Sequence, residues 1–438
     1  MFKTLFALIQ LTLAQAVLAS STVAILDNQI DYTHFKLADH LWANKNEVLN
    51  EIDDDNNGFV DDINGWSFID NSNKLFNFSD YGKFPSEVYR YYEIRAKKYL
   101  GTITDEEKDW YNTIRKDEEF KVLRKKFSKF AHGTHVACLA VNSDILPASV
   151  ESKDLKFIPI RYLGETKTGA FSKPEFKPLT KGDDAQKVEH IRKYINSYTV
   201  WMLGKFEVAI SYSKDKAQVI HASWGQGYGT TQKVVNRIFE EQFKESDQHT
   251  DLKKVITDAF IEDLIKRGTA LLRKHRDILF VFSAGNKKED TDTELHYPSS
   301  ILLSNVISVG ASDKNNEKAS FSNFGQNTVS VFAQGIAIES CTPENRKLPI
   351  NGTSQAAPQV SGLALKLNSL LSNLEINSTP SLLKALVTET VDKVESLSKL
   401  SAAGGVINQL RAFSAAKKLK TMNLKEAIAQ SYIEIPNP

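Results

Sequence analysis

The sequence has little cysteine, little net charge and no long apolar run after its N-terminus, and each shortage excludes a class of protein. Two cysteines in 438 residues exclude a fold built on a disulfide scaffold. Lysine plus arginine (55) nearly balance aspartate plus glutamate (54), so a net charge of +1 gives no field that would attract nucleic acid or acidic lipid. No later run reaches the roughly 18 apolar residues that span a bilayer. We therefore expect a globular protein that binds no nucleic acid and, once processed, no membrane.

The first 19 residues have the three parts of a secretory signal. Lys3 supplies positive charge, residues 5–18 are mostly apolar, and the segment ending at Ala19 fits a signal-peptidase cleavage site. A buried N-terminal helix is the alternative interpretation. The pattern predicts a signal peptide over residues 1–19 and an exported protein, either secreted or periplasmic.

Short apolar runs alternate with long helix-like segments, which is typical of an α/β domain with a parallel sheet. Several of the runs stop at small or polar residues, including Asp27, Ser223 and Ser283. Ligands in such sheets bind beyond the carboxyl ends of the strands, so we expect the functional site at these stops. The predicted strands cover residues 22–26, 156–163, 219–223, 278–282 and 306–309.

Three helix-rich segments separate these runs, at residues about 74–130, 184–216 and 231–276. The first contains 13 aromatic residues among 57, and Thr104 to Glu107 form a capping box that predicts a helix running towards Lys129. Aromatic residues at helical spacing favour packing onto the body of the protein, although a surface for a partner or substrate is an alternative. The other two segments are interpreted as solvated amphipathic helices.

Three short motifs carry candidate catalytic residues. Asp27 ends the first strand, His132 opens a run of small residues that predicts the start of a closely packed helix, and Ser354 precedes Pro358. Because proline cannot donate to the carbonyl of residue 354, a helix should begin near Ser354 and place its hydroxyl at a positive helix end. Taken alone, Asp27 could be a cap or turn residue, His132 a structural histidine, and Ser354 part of a common Gly-x-Ser-x-Ala pattern. Together they supply the three groups of acyl transfer: an aspartate that orients the base, a histidine base and a serine nucleophile.

The three residues occur along the chain in the order Asp27, His132, Ser354. With this order and with the sequence blocks that surround the three motifs, the chain resembles the subtilisin-like serine peptidases, the subtilases. The resemblance implies a three-layer α/β fold with a mostly parallel central sheet and helical insertions. It also implies one catalytic domain over residues 20–416, followed by a C-terminal tail at 417–438, rather than the roughly three domains that length alone suggests. The additional matching blocks are residues 219–225, 282–286, 297–298, 306–311, 320–325 and 404–408.

The resemblance implies an exported serine endopeptidase that acts through a covalent acyl-enzyme on protein or peptide substrates, with no organic cofactor. Ser354 would be the nucleophile, His132 the base and Asp27 the residue that orients it, while Asn286 would bind the oxyanion. The second histidine of the motif, His135, is interpreted as structural. The segment predicted to pair with the substrate backbone is Ser223, Trp224 and Gly225.

Several departures from the family pattern keep another function open. Asn28 and Gln29 follow Asp27 where the family has a small residue and glycine, and Gln355 and Gln359 replace methionine and histidine after the serine. The alternatives are a catalytically weak or inactive subtilase-fold binding protein and, less directly, hydrolysis of a small ester or amide. Cys138 stands where glycine is common, and it either pairs with Cys341 or leaves two buried thiols.

An acidic loop at residues 53–62 has the spacing of a calcium-binding loop. Five carboxylates within ten residues would repel one another without a cation, although a solvated acidic turn is the alternative. Position 12 is Asn64, so the loop is not a complete EF-hand. The sequence predicts a structural Ca²⁺ with ligands from Asp53, Asp55, Asn57, the Phe59 carbonyl and Asp61.

Asp27 lies eight residues after the predicted cleavage point, which leaves no room for an N-terminal propeptide. Because secreted subtilases typically use such a segment to fold and to restrain activity, we expect another device in its place. The candidates are the helical insertions, calcium, or a separate inhibitor or folding helper.

Overall fold

The computed structural model describes residues 20–164, 172–244 and 249–438, so the predicted signal peptide lies outside the described residues. The strands are β1 (Ser21–Asp27), β2 (Trp66–Ser67), β3 (Leu155–Arg161), β4 (Val219–Ala222), β5 (Gln226–Gly227), β6 (Leu279–Ser283), β7 (His296–Tyr297), β8 (Val306–Ser312), β9 (Val331–Gln334), β10 (Ile338–Thr342), β11 (Arg346–Ile350), β12 (Asp392–Lys393) and β13 (Gly405–Val406). The α-helices are α1 (Ser86–Leu100), α2 (Asp105–Ile114), α3 (Glu118–Ala140), α4 (Asp184–Ser213), α5 (Tyr228–Phe243), α6 (Thr250–Arg273), α7 (Thr353–Asn373), α8 (Pro380–Thr388), α9 (Gln409–Lys418) and α10 (Leu424–Glu434).

A nine-stranded sheet forms the centre of the fold, in the order β12-β13-β9-β8-β6-β4-β1-β3-β2. Each neighbouring pair is parallel except β12 with β13, which confirms the predicted α/β class and mostly parallel sheet. All seven residues of β1 are buried. A parallel strand covered on both faces reads as a continuous apolar run, which is why the strands could be recognised in the sequence.

Successive residues of β1 point to opposite faces of the sheet and enter different cores. Val23 and Ile25 belong to the core that α3 and α7 cover, whereas Ala24 and Leu26 belong to the core that α4, α5 and α6 cover. The fold therefore has three layers. The segments predicted as solvated insertions at 184–216 and 231–276 supply α4, α5 and α6, whose apolar faces close one side of the sheet.

The aromatic segment at 74–130 differs from the prediction in two ways. The expected single helix is divided into α2 and α3, because the Asp117 carboxylate accepts the Phe120 N–H at 2.6 Å and caps a new helix. That helix then continues unbroken to Ala140, so His132 lies inside a helix and not at its start. The aromatic side chains form a cluster of their own, which also contains Leu348 and Ile350 of β11. The segment is thereby packed against the rest of the chain.

The C-terminal segment 417–438 contains α10, which packs against α9. Arg411 on α9 is fully buried and fixes this end of the chain. Its guanidinium donates to the carbonyls of Ile435 and Pro436 and forms an ion pair with Asp392 at 2.9 Å. Across the three described ranges, every helix is too short or too polar to cross a bilayer.

Candidate active site

Asp27 and His132 meet although 105 residues separate them in the chain. Asp27 ends β1 and is fully buried, and its Oδ1 accepts a hydrogen bond from His132 Nδ1 at 2.7 Å. The Asn28 N–H donates to the same oxygen, also at 2.7 Å. The ring of His132 is 19% exposed, so one edge of it reaches solvent. With Nδ1 bound to the carboxylate, the neutral ring has Nε2 free to accept a proton.

Two opposing effects set the pKa of His132. Burial lowers it, but the negative charge of Asp27 and the hydrogen bond to its carboxylate raise it, and together they prevail. The pKa of His132 therefore lies above the ordinary value of 6.5. Such a residue is a base whose protonated form is stabilised by the carboxylate behind it.

Close approach at this point depends on Gly133. A Cβ at that position would lie 2.6 Å from the Gln29 carbonyl oxygen and 2.9 Å from Ile30 Cγ1. Gln29 stands where the family has glycine, but the backbone at this position does not have a positive φ and so does not require glycine. Its side chain instead accepts the Asn77 N–H at 2.9 Å, which ties the loop after Asp27 to the aromatic segment.

Ser354 lies in the first turn of α7, with Gly352 as the N-cap residue. Its hydroxyl donates to the Ser223 carbonyl at 3.2 Å, and the Ser223 hydroxyl donates to the Ser354 carbonyl at 3.1 Å. The structure thus brings Asp27 and His132 into direct contact and binds the Ser354 hydroxyl to Ser223 and not to His132. That hydroxyl must turn away from the Ser223 carbonyl before it can donate to His132.

His221 is a residue of this site that sequence analysis missed as a functional candidate. It is buried on β4, where one ring nitrogen contacts Ser223 Oγ and the other contacts Ser361 Oγ, each at 2.8 Å. Burial lowers the pKa of His221 to about 3, so the ring is neutral. Because the Ser223 hydroxyl already donates to Ser354, the ring must donate to Ser223 and accept from Ser361. A hydrogen-bonded chain therefore connects α7 to the end of β4.

Asn286 follows β6 and is held by the first residue of α7. Its Oδ1 accepts the Thr353 N–H at 2.9 Å and the Thr353 hydroxyl at 3.2 Å, which leaves its Nδ2 as a donor. Asn323 fixes the same loop by accepting the N–H groups of Lys287 and Glu289 and donating to the Ala284 carbonyl. An amide donor is thus fixed in place next to the N-terminus of α7.

A cavity of about 180 Å³ opens between the segments that carry Ser354 and Asn286. The predicted substrate segment, Ser223 to Gly225, forms part of its wall and lies outside the strand ladders, between β4 and β5. Trp224 is anchored there by donating Nε1–H to the Leu26 carbonyl at 2.9 Å. The wall also includes Gly227, Thr230, Ser283, Gly285, Lys287, Glu289 and His296.

Cys138 and Cys341 form a disulfide with a Cα–Cα distance of 5.9 Å, which decides between the two alternatives that the sequence left open. The bond joins α3 to β10 across a sequence separation of 203 residues. On the same turn of α3 as His132, His135 places its Nε2 within 3.1 Å of the carbonyls of Ile338 and Leu348. Burial lowers the pKa of His135 to about 3, which fits the structural interpretation of this neutral histidine.

The acidic loop brings part of the predicted calcium ligand set together. Oxygens of Asp53, Asp55 and Glu47 lie within 4.8 Å of one another, and Glu47 was not among the predicted ligands. Asp61 instead accepts the N–H groups of Asn50 and Glu51, at 2.9 and 3.2 Å. Asn57 Oδ1 accepts the Phe59 N–H within the turn. A cation ligated by three carboxylates fits this cluster better than one that also uses the Asp61 side chain.

Comparison with known proteins identifies the family of the chain. A sequence model described as the Subtilase family matches residues 19–406, which is most of the chain. The chain belongs to the subtilase family. The resemblance found in the sequence is confirmed. The three helix-rich segments at residues about 74–130, 184–216 and 231–276 all lie inside the matched range.

Individual relatives are distant. The chain is 27% identical over 300 residues to the extracellular basic protease of Dichelobacter nodosus, covering 66% of this subtilase and 40% of that protein. It is 34% identical over 106 residues to subtilisin BL of Lederbergia lenta, covering 24% and 37%. The chain thus spans less than half the length of these curated relatives.

Among the solved structures similar to this subtilase is a structure that describes the assembly of subtilase cytotoxin SubAB. It has a TM-score of 0.46 and 16% identity, and the match covers 96% of this chain and 93% of that one. A cold adapted subtilisin-like serine proteinase gives a TM-score of 0.41 and 16% identity, with coverage of 89% and 86%.

Proposed function

We propose that this subtilase is a serine endopeptidase that uses Asp27, His132 and Ser354 as its catalytic residues. The observation that carries the proposal is the 2.7 Å contact between the buried Asp27 carboxylate and His132 Nδ1. It lies at the carboxyl end of β1, and Ser354 is bound to Ser223 at the carboxyl end of the adjacent parallel strand β4. A carboxylate in this position fixes the tautomer of the imidazole and stabilises the imidazolium that forms when it accepts a proton.

In the proposed reaction, Ser354 Oγ attacks the carbonyl carbon of a peptide bond. His132 Nε2 accepts the hydroxyl proton and then returns it to the leaving amine, which leaves an acyl-enzyme for water to hydrolyse. The hydroxyl must first leave the Ser223 carbonyl, which accepts from it at 3.2 Å. Bound substrate is expected to favour that turn by occupying the neighbouring wall.

The oxyanion is proposed to bind to Asn286 Nδ2 and to the Ser354 N–H. Asn286 Oδ1 already accepts from Thr353, which supports the proposal because the amide donor is left for substrate. The Ser354 N–H lies in the first turn of α7, where backbone donors and the helix dipole favour negative charge. Donors fixed in advance stabilise the charge without reorganising during the reaction.

A catalytically inactive binding protein is the second candidate. Its support is the direction of the Ser354 hydroxyl, which is bound to Ser223. The two candidates differ in one measurement, hydrolysis of a quenched fluorescent peptide library by the purified protein. The endopeptidase hypothesis predicts cleavage that Ser354→Ala abolishes and that Asn286→Ala reduces by about 10²–10³-fold. Equal turnover by the wild type and Ser354→Ala would exclude it.

We also propose that the acidic loop holds a structural Ca²⁺ through Asp53, Asp55 and Glu47. The three carboxylates face one another, and carboxylate oxygens are the ligands that Ca²⁺ prefers. Chelation should lower the melting temperature, and Asp53→Asn should remove that dependence. Asp61→Asn is the matched control: it removes a cap on Asn50 and Glu51, so it should destabilise the loop yet keep the response to calcium. A melting curve unchanged by chelation contradicts the calcium proposal.

Export is proposed from the N-terminal signal pattern together with the disulfide. Disulfides persist in oxidising compartments and are rare in the cytosol, so the bond between Cys138 and Cys341 fits a secreted or periplasmic protein. Sequencing the N-terminus of the protein recovered outside the cytoplasm should give Ser20 as the first residue. Recovery only from the cytoplasm, with Met1 retained, would contradict export.

A further inference from the structure

Glu289 places a carboxylate in the cavity beside Ser354. The side chain is half-buried, and among the described residues no lysine or arginine forms an ion pair with it. Within the described residues its carboxylate accepts one hydrogen bond, a long one of 3.4 Å that Asn323 Nδ2 donates to Glu289 Oε2. A half-buried carboxylate without a paired cation can accept a charge-assisted hydrogen bond from a cationic ligand.

Two glycines lie close to this carboxylate, and a third lies close to His296. A Cβ at Gly227 would lie 3.0 Å from Glu289 Oε2, and one at Gly229 would lie 3.5 Å from Oε1. At Gly225 a Cβ would lie 2.2 Å from the His296 ring. The backbone at Gly227 and Gly229 can therefore lie close to the carboxylate because neither position carries a side chain, while Thr230 lines the same cavity.

No cationic side chain of the described residues pairs with Glu289, although its oxygens lie beside Gly227 and Gly229 at the N-terminus of α5, where the helix dipole favours a carboxylate. Burial raises the pKa of Glu289, and the nearby charge of Glu294 raises it further, against smaller opposing effects from Asn323 and the exposed Lys287. His296 adds no positive charge at neutral pH, because burial lowers its pKa to about 4 and its Nδ1 contacts Ser299 Oγ at 2.7 Å. A cation entering the cavity would relieve this imbalance.

We propose that the cavity binds the side chain of the substrate residue whose carbonyl Ser354 attacks, and that Glu289 selects lysine or arginine at that position. The inference rests on the proposed endopeptidase function. The attacked carbonyl must lie between Ser354 and Asn286, and both residues line the cavity. The side chain next to that carbonyl therefore enters the cavity, where about 180 Å³ accommodates an extended basic side chain.

The test compares peptides that differ only at the residue before the scissile bond. Lysine, norleucine and glutamate have similar stems and different charge. The wild type should cleave the lysine peptide with a kcat/KM roughly 10- to 100-fold above that of the norleucine peptide, since a hydrogen bond to a charged partner has about that value. The glutamate peptide should be the poorest substrate.

Two variants and one control locate the effect. Glu289→Gln should bring the lysine and norleucine peptides to equal kcat/KM, and Glu289→Lys should make the glutamate peptide the preferred substrate. Glu294→Gln removes an exposed carboxylate from the same loop but not from the cavity, so it should keep the preference for lysine. Folding of each variant is checked by its melting curve.

Equal cleavage of the lysine and norleucine peptides by the wild type would overturn this inference even if neither variant folds. If the wild type reacts with a fluorophosphonate at Ser354 but shows no such preference, only the role of Glu289 is wrong. If it neither reacts nor cleaves any peptide, the endopeptidase function is wrong and the inference is lost with it.

Discussion

The two halves of α3 differ in side-chain size and in what they contact. From Glu118 to Phe130 the helix buries large rings among the aromatic residues of α1 and α2. From Ala131 to Ala140 it buries small residues against β1, α7 and β10, and this half carries His132. The contrast shows that one continuous helix connects the aromatic segment to the proposed base. Large residues fill space in one half, and small residues permit close approach in the other.

The largest expected effect is the loss of activity when the small-residue half loses its functional side chain. His132→Ala should lower kcat/KM by about 10⁴- to 10⁶-fold because it removes the base. It should also lower stability, because the buried Asp27 carboxylate loses its partner, so the melting curve of the variant is recorded beside its activity. Lys129→Ala, an exposed change one turn earlier on the same helix, is the control. A comparable loss from both variants would contradict the division of α3 into two functional halves.

Removal of a ring from the aromatic half should affect stability instead. Phe127 is fully buried and contacts Phe84, Tyr89 and Tyr92, so Phe127→Ala should lower the free energy of unfolding by about 3–5 kcal/mol. Denaturant titration measures this change, with the exposed Val122→Ala on the same half as control. If stability is retained but activity is lost, the aromatic half acts on substrate and not on packing.

The disulfide provides a third comparison, since it fixes the small-residue half to β10. Replacing both Cys138 and Cys341 with serine should lower the free energy of unfolding by roughly 2–4 kcal/mol, because the bond closes a long loop in the unfolded chain. Melting of the wild type with and without reductant should show the same loss. No change in either experiment would mean that packing alone holds α3 against the hairpin of β10 and β11.

The smallest effect concerns pH. Neutral His132 is the active base, and its pKa lies above 6.5, so kcat/KM should fall about tenfold per pH unit below that raised pKa. The midpoint should exceed 6.5, since Asp27 stabilises the protonated ring. For stability the sign is opposite: the Asp27 pair contributes most below the unfolded pKa and is lost as pH rises through the folded one. A midpoint below 6.5 would indicate that burial outweighs Asp27.

Much of the site could be predicted because its elements are local in sequence. Asp27 ends an unbroken apolar run, as expected of a buried parallel strand, and Pro358 marks the helix that begins beside Ser354. The parts that were missed depend on how the chain folds back. Glu47 lies outside the spacing of the calcium-loop motif and joins the acidic cluster only through the folded loop, and His221 matters because Ser361 lies 140 residues away.

The course of α3 was wrong for a related reason. The run of small residues after His132 suggested the start of a helix packed closely against its neighbours. In the structure Gly133 is required by the Gln29 carbonyl, which would lie 2.6 Å from a Cβ at that position. The small residues thus permit close packing in the middle of a helix, and the partner of Gly133 lies more than 100 residues away in the chain.

Mass spectrometry after treatment with a fluorophosphonate shows whether Asp27, His132 and Ser354 act together. We expect a single adduct on Ser354, formed by the wild type and absent from His132→Ala under the same conditions, because the hydroxyl is activated only by the base next to Asp27. No adduct on the wild type, or equal labelling of His132→Ala, would mean that His132 does not activate Ser354.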